Sequence, residues 1–195
     1  MRLAAAIVAL LCYALTACGS ADQATESAAP STSAHATTTG PSSSVAPGFA
    51  VHSPAFNDNG QIPADYTCTG RNVPPALRWH NVPADTQSLA LVLDDPDAVG
   101  GLYVHWVVTG IPPTASEIAD GVLPAGAVVS ANSGGKTAYL GPCPPAGSGV
   151  HHYRFQLYAL SKPLTLAPTT AAAEATREIA DSAITSAVVV GLFGG

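Results

Sequence analysis

Between residues 49 and 195 the chain is a succession of short runs rich in Val, Leu and aromatic residues, punctuated by Pro and Gly. The runs are Phe49 to His52, Ala76 to His80, Ser88 to Asp94, Tyr103 to Gly110, Val128 to Ala131, His152 to Leu160 and Ala187 to Phe193. Such spacing suits strands and leaves little chain for helices, so the fold class is mainly β, an antiparallel β-sandwich. One helix is predicted over Thr170 to Ser182. There Ala172, Ala175, Ile179 and Ala183 recur at helical spacing, while Glu174, Arg177, Glu178 and Asp181 form a polar side.

Strand alternation indicates where chemistry sits. Leu89, Leu91 and Leu93 share a face, and period two places Asp95 on its continuation at the strand end, where a carboxylate needs a partner. His151, Tyr153, Phe155 and Leu157 share another face, whereas His152, Arg154 and Gln156 point the other way. His151 and Tyr153 therefore face inward and His152 faces solvent. The run from Tyr103 is apolar on both faces, so His105 is expected to be buried or to line a pocket.

The N-terminal part has a different character. Met1-Arg2 precedes an uncharged run from Leu3 to Ala17, too short to span a bilayer and shaped like a signal peptide over 1–17. It ends in Leu15-Thr16-Ala17-Cys18-Gly19, which resembles the lipobox of bacterial lipoproteins. The resemblance implies lipidation of Cys18 and a cell-membrane location on the extracytoplasmic face; an ordinary secretory cleavage site is the alternative. Residues 18–48 comprise that Cys and a Ser/Thr/Ala/Pro-rich stretch, read as a disordered tether. The globular domain is 49–195. Cys68 and Cys143 remain in it, and an even pair in an oxidising compartment is commonly bridged, against the alternative of two buried thiols. With 13 acidic against 7 basic side chains and no basic stripe, no nucleic-acid partner is expected.

Two segments carry the most specific signal. One is Leu93-Asp94-Asp95-Pro96-Asp97-Ala98 followed by His105-Trp106; the other is Tyr139-Leu140-Gly141-Pro142-Cys143-Pro144-Pro145 followed by His151-His152-Tyr153-Arg154-Phe155. With Tyr66-Thr67-Cys68-Thr69-Gly70-Arg71-Asn72, Pro74-Pro75-Ala76-Leu77-Arg78-Trp79 and Gly191-Leu192-Phe193, they resemble the phosphatidylethanolamine-binding protein family, in particular its bacterial Raf-kinase-inhibitor-like branch. The resemblance implies a sandwich with a few peripheral helices. It also implies a small anion pocket formed by Asp95, His105, Gly141, Pro142, His151 and Tyr153. Imidazoles, turn amides and a Tyr hydroxyl are suitable oxyanion donors, while Asp95 would orient an imidazole, share a proton or meet an amine. The chain departs from the family pattern at Phe193-Gly194-Gly195, where Tyr and Arg are common.

The expected function is a lipid-anchored extracytoplasmic binding protein, non-catalytic and without a cofactor, taking a small anion or phospholipid head group. The alternative is an inhibitor of a secreted protease or another protein partner. A hydrolase using Asp95, His105 and His151 lacks an activated nucleophile and a G-x-S-x-G elbow. Two further alternatives are satisfied core histidines and a two-His, one-carboxylate metal site; the latter has no diagnostic spacing. Asp97 is read as a turn former, and Gly134-Gly135-Lys136-Thr137 as a polar loop.

Overall fold

The computed structural model describes residues 48–119 and 121–195. The expected signal peptide, Cys18 and the tether up to residue 47 lie outside the described residues. The strands are β1 (Ala50–His52), β2 (Gly60–Gln61), β3 (Leu77–His80), β4 (Ser88–Asp95), β5 (Tyr103–Ile111), β6 (Glu117–Ile118), β7 (Val128–Ser130), β8 (Val150–Leu160) and β9 (Ala183–Gly194). A 3-10 turn covers Ala64–Tyr66, and one α-helix, α1, covers Ala172–Ser182. None of the helices among the described residues is long and apolar enough to cross a membrane.

The strands form a three-stranded sheet, β1-β3-β6, and a six-stranded sheet, β2-β9-β8-β4-β5-β7. Alternation decides which residues serve which core. Leu89, Leu91 and Leu93 of β4 join Tyr153, Phe155 and Leu157 of β8 and Val51, Leu77, Trp79 and Ile118 of the small sheet in one apolar cluster. The intervening Ala90 and Val92 turn to the other face and pack with Ala172, Ala175 and Ile179 of α1. The large sheet is thus covered on both sides, which is why every residue of β4 is buried. Fully burying Ile179 alone contributes about 1.5 to 3 kcal/mol.

Two details depart from expectation, one strand pairing and the boundary between α1 and β9, and the expected disulfide is present. The sheets are antiparallel except for β2, which pairs parallel to β9 through Gly60↔Gly191 and Gln61↔Leu192. Gly191 permits that approach, because a Cβ there would run into the Ile62 side chain. Ala183 is exposed and opens β9, while Ser182 is buried and closes α1, its hydroxyl donating to the Glu178 carbonyl at 2.6 Å. The strand therefore starts four residues earlier than the apolar run, because β8 pairs with it from Leu160↔Ala183 to Val150↔Gly194 and the ladder overrides side-chain pattern. The cysteine pair is bridged, Cys68 to Cys143, and Cys68 N–H also donates to the Pro142 carbonyl at 3.0 Å.

Candidate functional site

The end of β4 and the starts of β5 and β8 meet the loop of residues 140–145 around a cavity of about 300 Å³. Its walls include Asp95, His105, His151 and Tyr153, together with Tyr103, Val99, Leu140, Cys143 and Pro145. Period two brings these side chains together: Tyr103 and His105 are two apart on β5, and His151 and Tyr153 are two apart on β8. The Tyr103 and His105 rings meet edge to face at 4.8 Å, and His105 meets Tyr153 edge to face at 5.4 Å.

Asp95 and His151 form a buried pair, His151 Nδ1 donating to Asp95 Oδ2 at 2.7 Å with side chains only 4% and 3% exposed. The other carboxylate oxygen accepts the Asp97 N–H at 2.8 Å, the turn contact expected of that segment. Asp97 in turn accepts from the His152 N–H and Nδ1, both at 2.8 Å, and these bonds hold its carboxyl below the usual range. His152 is exposed, as alternation requires.

His105 Nδ1 lies 2.9 Å from the Leu140 carbonyl. A carbonyl only accepts, so Nδ1 carries the proton and the neutral ring keeps Nε2 as an acceptor. Burial lowers the pKa of this imidazole below the ordinary range, a shift partly offset by the Leu140 hydrogen bond and the Asp95 and Asp94 charges. The Tyr153 hydroxyl is fully buried and makes no hydrogen bond of good geometry, although the Asp95 carboxylate and the Cys143 backbone lie near it. Burial, then the nearby Asp95 charge, pushes its pKa up, so it stays a neutral donor with the Asp95 carboxylate close by.

Gly141 and Pro142 are packed behind the wall rather than lining it. The Gly141 N–H donates to Asn72 Oδ1 at 2.8 Å, and the Pro142 carbonyl accepts from Cys68. Their role is to seat the loop that carries Leu140, Cys143, Pro144 and Pro145. Phe193 and Gly194 pair with His151 and Val150 in the sheet and do not line the cavity. The Gly134–Thr137 loop closes on Asn132, whose Oδ1 accepts from Gly134 and Lys136 N–H. Among the described residues no cluster of three or more His, Cys, Asp or Glu side chains is placed to hold a metal.

A family model described as phosphatidylethanolamine-binding protein matches residues 52–194. The chain belongs to that family. This phosphatidylethanolamine-binding protein family member is 52% identical over 145 residues to a Mycobacterium tuberculosis protein that bears a lipoprotein name, LppC, covering 74% of this chain and 72% of that one. Its fold is similar to that of Escherichia coli YbcL, described as a new member of the mammalian PEBP family, with TM-score 0.71, 30% identity, and 74% and 97% of the two chains covered. The PEBP homologue CT736 of Chlamydia trachomatis gives TM-score 0.69 at 30% identity, over 75% and 97% of the chains.

Two contributors escaped the sequence reading. Tyr103 was available from period two, being two residues before His105. Ser148 was not: its Oγ lies 3.0 Å from His151 Nε2, but it sits in an irregular turn where no periodicity assigns direction. Asp95, His151 and Ser148 thus form a hydrogen-bonded chain that superficially matches a hydrolytic triad. The Ser148 hydroxyl, however, also lies 2.8 Å from the Pro145 carbonyl, a second acceptor that competes with His151 for its single proton.

Proposed function

We propose that this family member is a non-catalytic binding protein, anchored through Cys18 to the extracytoplasmic face of the cell membrane. Its pocket takes a small oxyanion, free or as a phospholipid head group. The observation that carries this reading is the cavity itself, in which the buried Tyr153 hydroxyl, lacking a hydrogen bond of good geometry, stands beside His105 and the Asp95–His151 pair. A buried hydroxyl left unsatisfied costs about 1 to 3 kcal/mol, and a ligand oxygen would recover that cost. The lipoprotein name of the mycobacterial relative supports the anchor.

The ligand must arrive with acceptors for Tyr153 and, once protonated, for His105. Sulfate tests this, because its charge is constant across the range in which imidazole titrates. Binding is expected to tighten as pH falls below about 6.5 and to weaken roughly tenfold or more in His105→Ala and in His151→Ala. His152→Ala should change little. Sulfate affinity that is flat from pH 5 to 8, or equal losses for all three variants, would sink the assignment.

A second reading, a protein partner such as a secreted protease, is favoured by one observation. Val99, Leu102 and Val150 are exposed by 82%, 55% and 54%, and they belong to the segments that frame the cavity. Charge substitutions at these three positions should abolish inhibition of such a protease while leaving sulfate affinity intact.

A further inference from the structure

The outer face of the three-stranded sheet carries a pair of histidines that the pocket does not use. β1 and β3 alternate strictly: Val51, Leu77 and Trp79 turn into the core, while His52, Arg78 and His80 turn out to solvent. The antiparallel register sets His52 opposite Arg78 and Ala50 opposite His80, so the two histidines are diagonal neighbours on adjacent strands. Their rings lean together, with centroids 6.1 Å apart and planes inclined by 55°. Among the described residues neither ring takes part in a hydrogen bond or an ion pair. Two imidazoles with uncommitted nitrogens, set side by side on one ladder, are the ligands that zinc, copper and nickel favour.

We propose that His52 and His80 form a two-histidine site for a divalent transition-metal ion. It is independent of the oxyanion reading, since neither residue lines the cavity. The spacing suits it. An ion about 2.0 to 2.1 Å from an imidazole nitrogen lies about 3.2 Å from that ring's centroid, so two rings on one tetrahedral ion stand about 5.2 Å apart. From the observed 6.1 Å the rings must close by about 1 Å, which the side-chain torsions of two exposed residues supply. With two protein ligands, water completes the shell and the ion exchanges, unlike one held in a closed four-ligand structural site. Arg78 shares this face and would repel a cation, but its Nε pairs with Glu117 Oε2 at 3.0 Å, which offsets the charge. The site stands where the chain enters the domain: next to His80, Asn81 Nδ2 donates to the Gly48 carbonyl at 3.3 Å. A bound ion cross-links β1, only three residues long, to β3.

The test uses the full chain without an affinity tag, titrated with zinc chloride, and with copper(II) chloride for spectroscopy. Zinc binding measured by calorimetry should weaken roughly 100-fold in His52→Ala and in His80→Ala, the low end of what joining two ligands in one site adds. The double variant should bind scarcely worse than either single one, because the two rings act as a unit. Both side chains are exposed, so melting without metal should be unchanged, and zinc should raise the melting temperature of wild type but of neither variant. Electron paramagnetic resonance of the copper complex should show coupling to two imidazole nitrogens in wild type and to one in each single variant. His152→Ala should bind zinc as wild type does, and sulfate affinity should be the same in all of these proteins. No zinc binding by wild type, affinity unchanged in either His52→Ala or His80→Ala, or the loss falling on His152→Ala instead, overturns the proposal and leaves the oxyanion reading untouched.

Discussion

Asp94 and Asp95 are consecutive and buried, yet they are answered from opposite faces of β4: Asp94 by the Arg154 guanidinium at 2.7 and 2.8 Å, Asp95 by His151 at 2.7 Å. Period two separates them, since Arg154 and Gln156 share one face of β8 while His151 and Tyr153 share the other. One carboxylate is closed off by a bidentate pair and by Gln156 Nε2 at 2.8 Å; its neighbour opens onto the cavity. Charge in the same dipeptide is structural on one side and available for chemistry on the other.

Removing the Asp94 partner should expose the difference. Arg154→Met leaves a buried carboxylate with only Gln156, and is expected to cost about 2 to 3 kcal/mol, below the fully buried range because Arg154 is itself partly exposed. Urea denaturation measures the loss, and sulfate affinity should hold. A cost under about 0.5 kcal/mol would show that Asp94 does not need its guanidinium.

Acid should weaken the fold through His105. Burial makes the folded ring hold its proton less tightly than the unfolded ring, so below about pH 6.5 the unfolded chain takes up the extra proton first. The stability present above that pH is lost as pH falls from the ordinary imidazole value toward the lowered folded one. Stability curves of wild type and His105→Gln should converge or cross on acidification, the variant lacking this component; parallel curves would rule it out.

The Cys68–Cys143 bridge closes a separation of 75 residues. On the chain-entropy account it contributes roughly 4 kcal/mol. A double Cys→Ser variant compared with wild type in guanidinium should show that loss. It should also weaken sulfate, because Cys143 is part of the cavity wall. Free-thiol titration of the unfolded, unreduced protein is expected to find neither of these two thiols.

Gly141→Ala should act on the loop rather than on the ligand directly. A Cβ at that position would lie 2.5 Å from the Tyr66 carbonyl oxygen and 2.7 Å from Asn72 Oδ1, so the wall must shift. The expected cost is about 2 kcal/mol, with weaker sulfate binding alongside it. Unchanged melting and affinity would mean that the loop adapts freely.

Much of this architecture could be read from residues alone because period two is local. Leu89, Leu91, Leu93 and Asp95 announced their shared face, and His151 and His152 their opposite ones. Ladders of two residues cannot announce themselves: β2 and β6 exist because Gly191 and Leu77 offer partners far away in the chain. The donor state of the pocket was equally hidden. Which nitrogen of His105 carries the proton depends on the Leu140 carbonyl, 35 residues distant, and the Gly141 amide was spent on Asn72, 69 residues away. Sequence proximity carried the strands; non-local hydrogen bonds decided what the site can offer.

The twelve residues of β9 sit inside the large sheet, not at the end of a meander. During synthesis they follow everything they must join. A nascent chain that has not yet reached Ala183 leaves the whole length of β8 as an unprotected edge, with its N–H and C=O groups open to any other strand nearby. The domain therefore cannot be completed piecemeal as it emerges, and its vulnerable interval runs until residues 183–194 are free to insert.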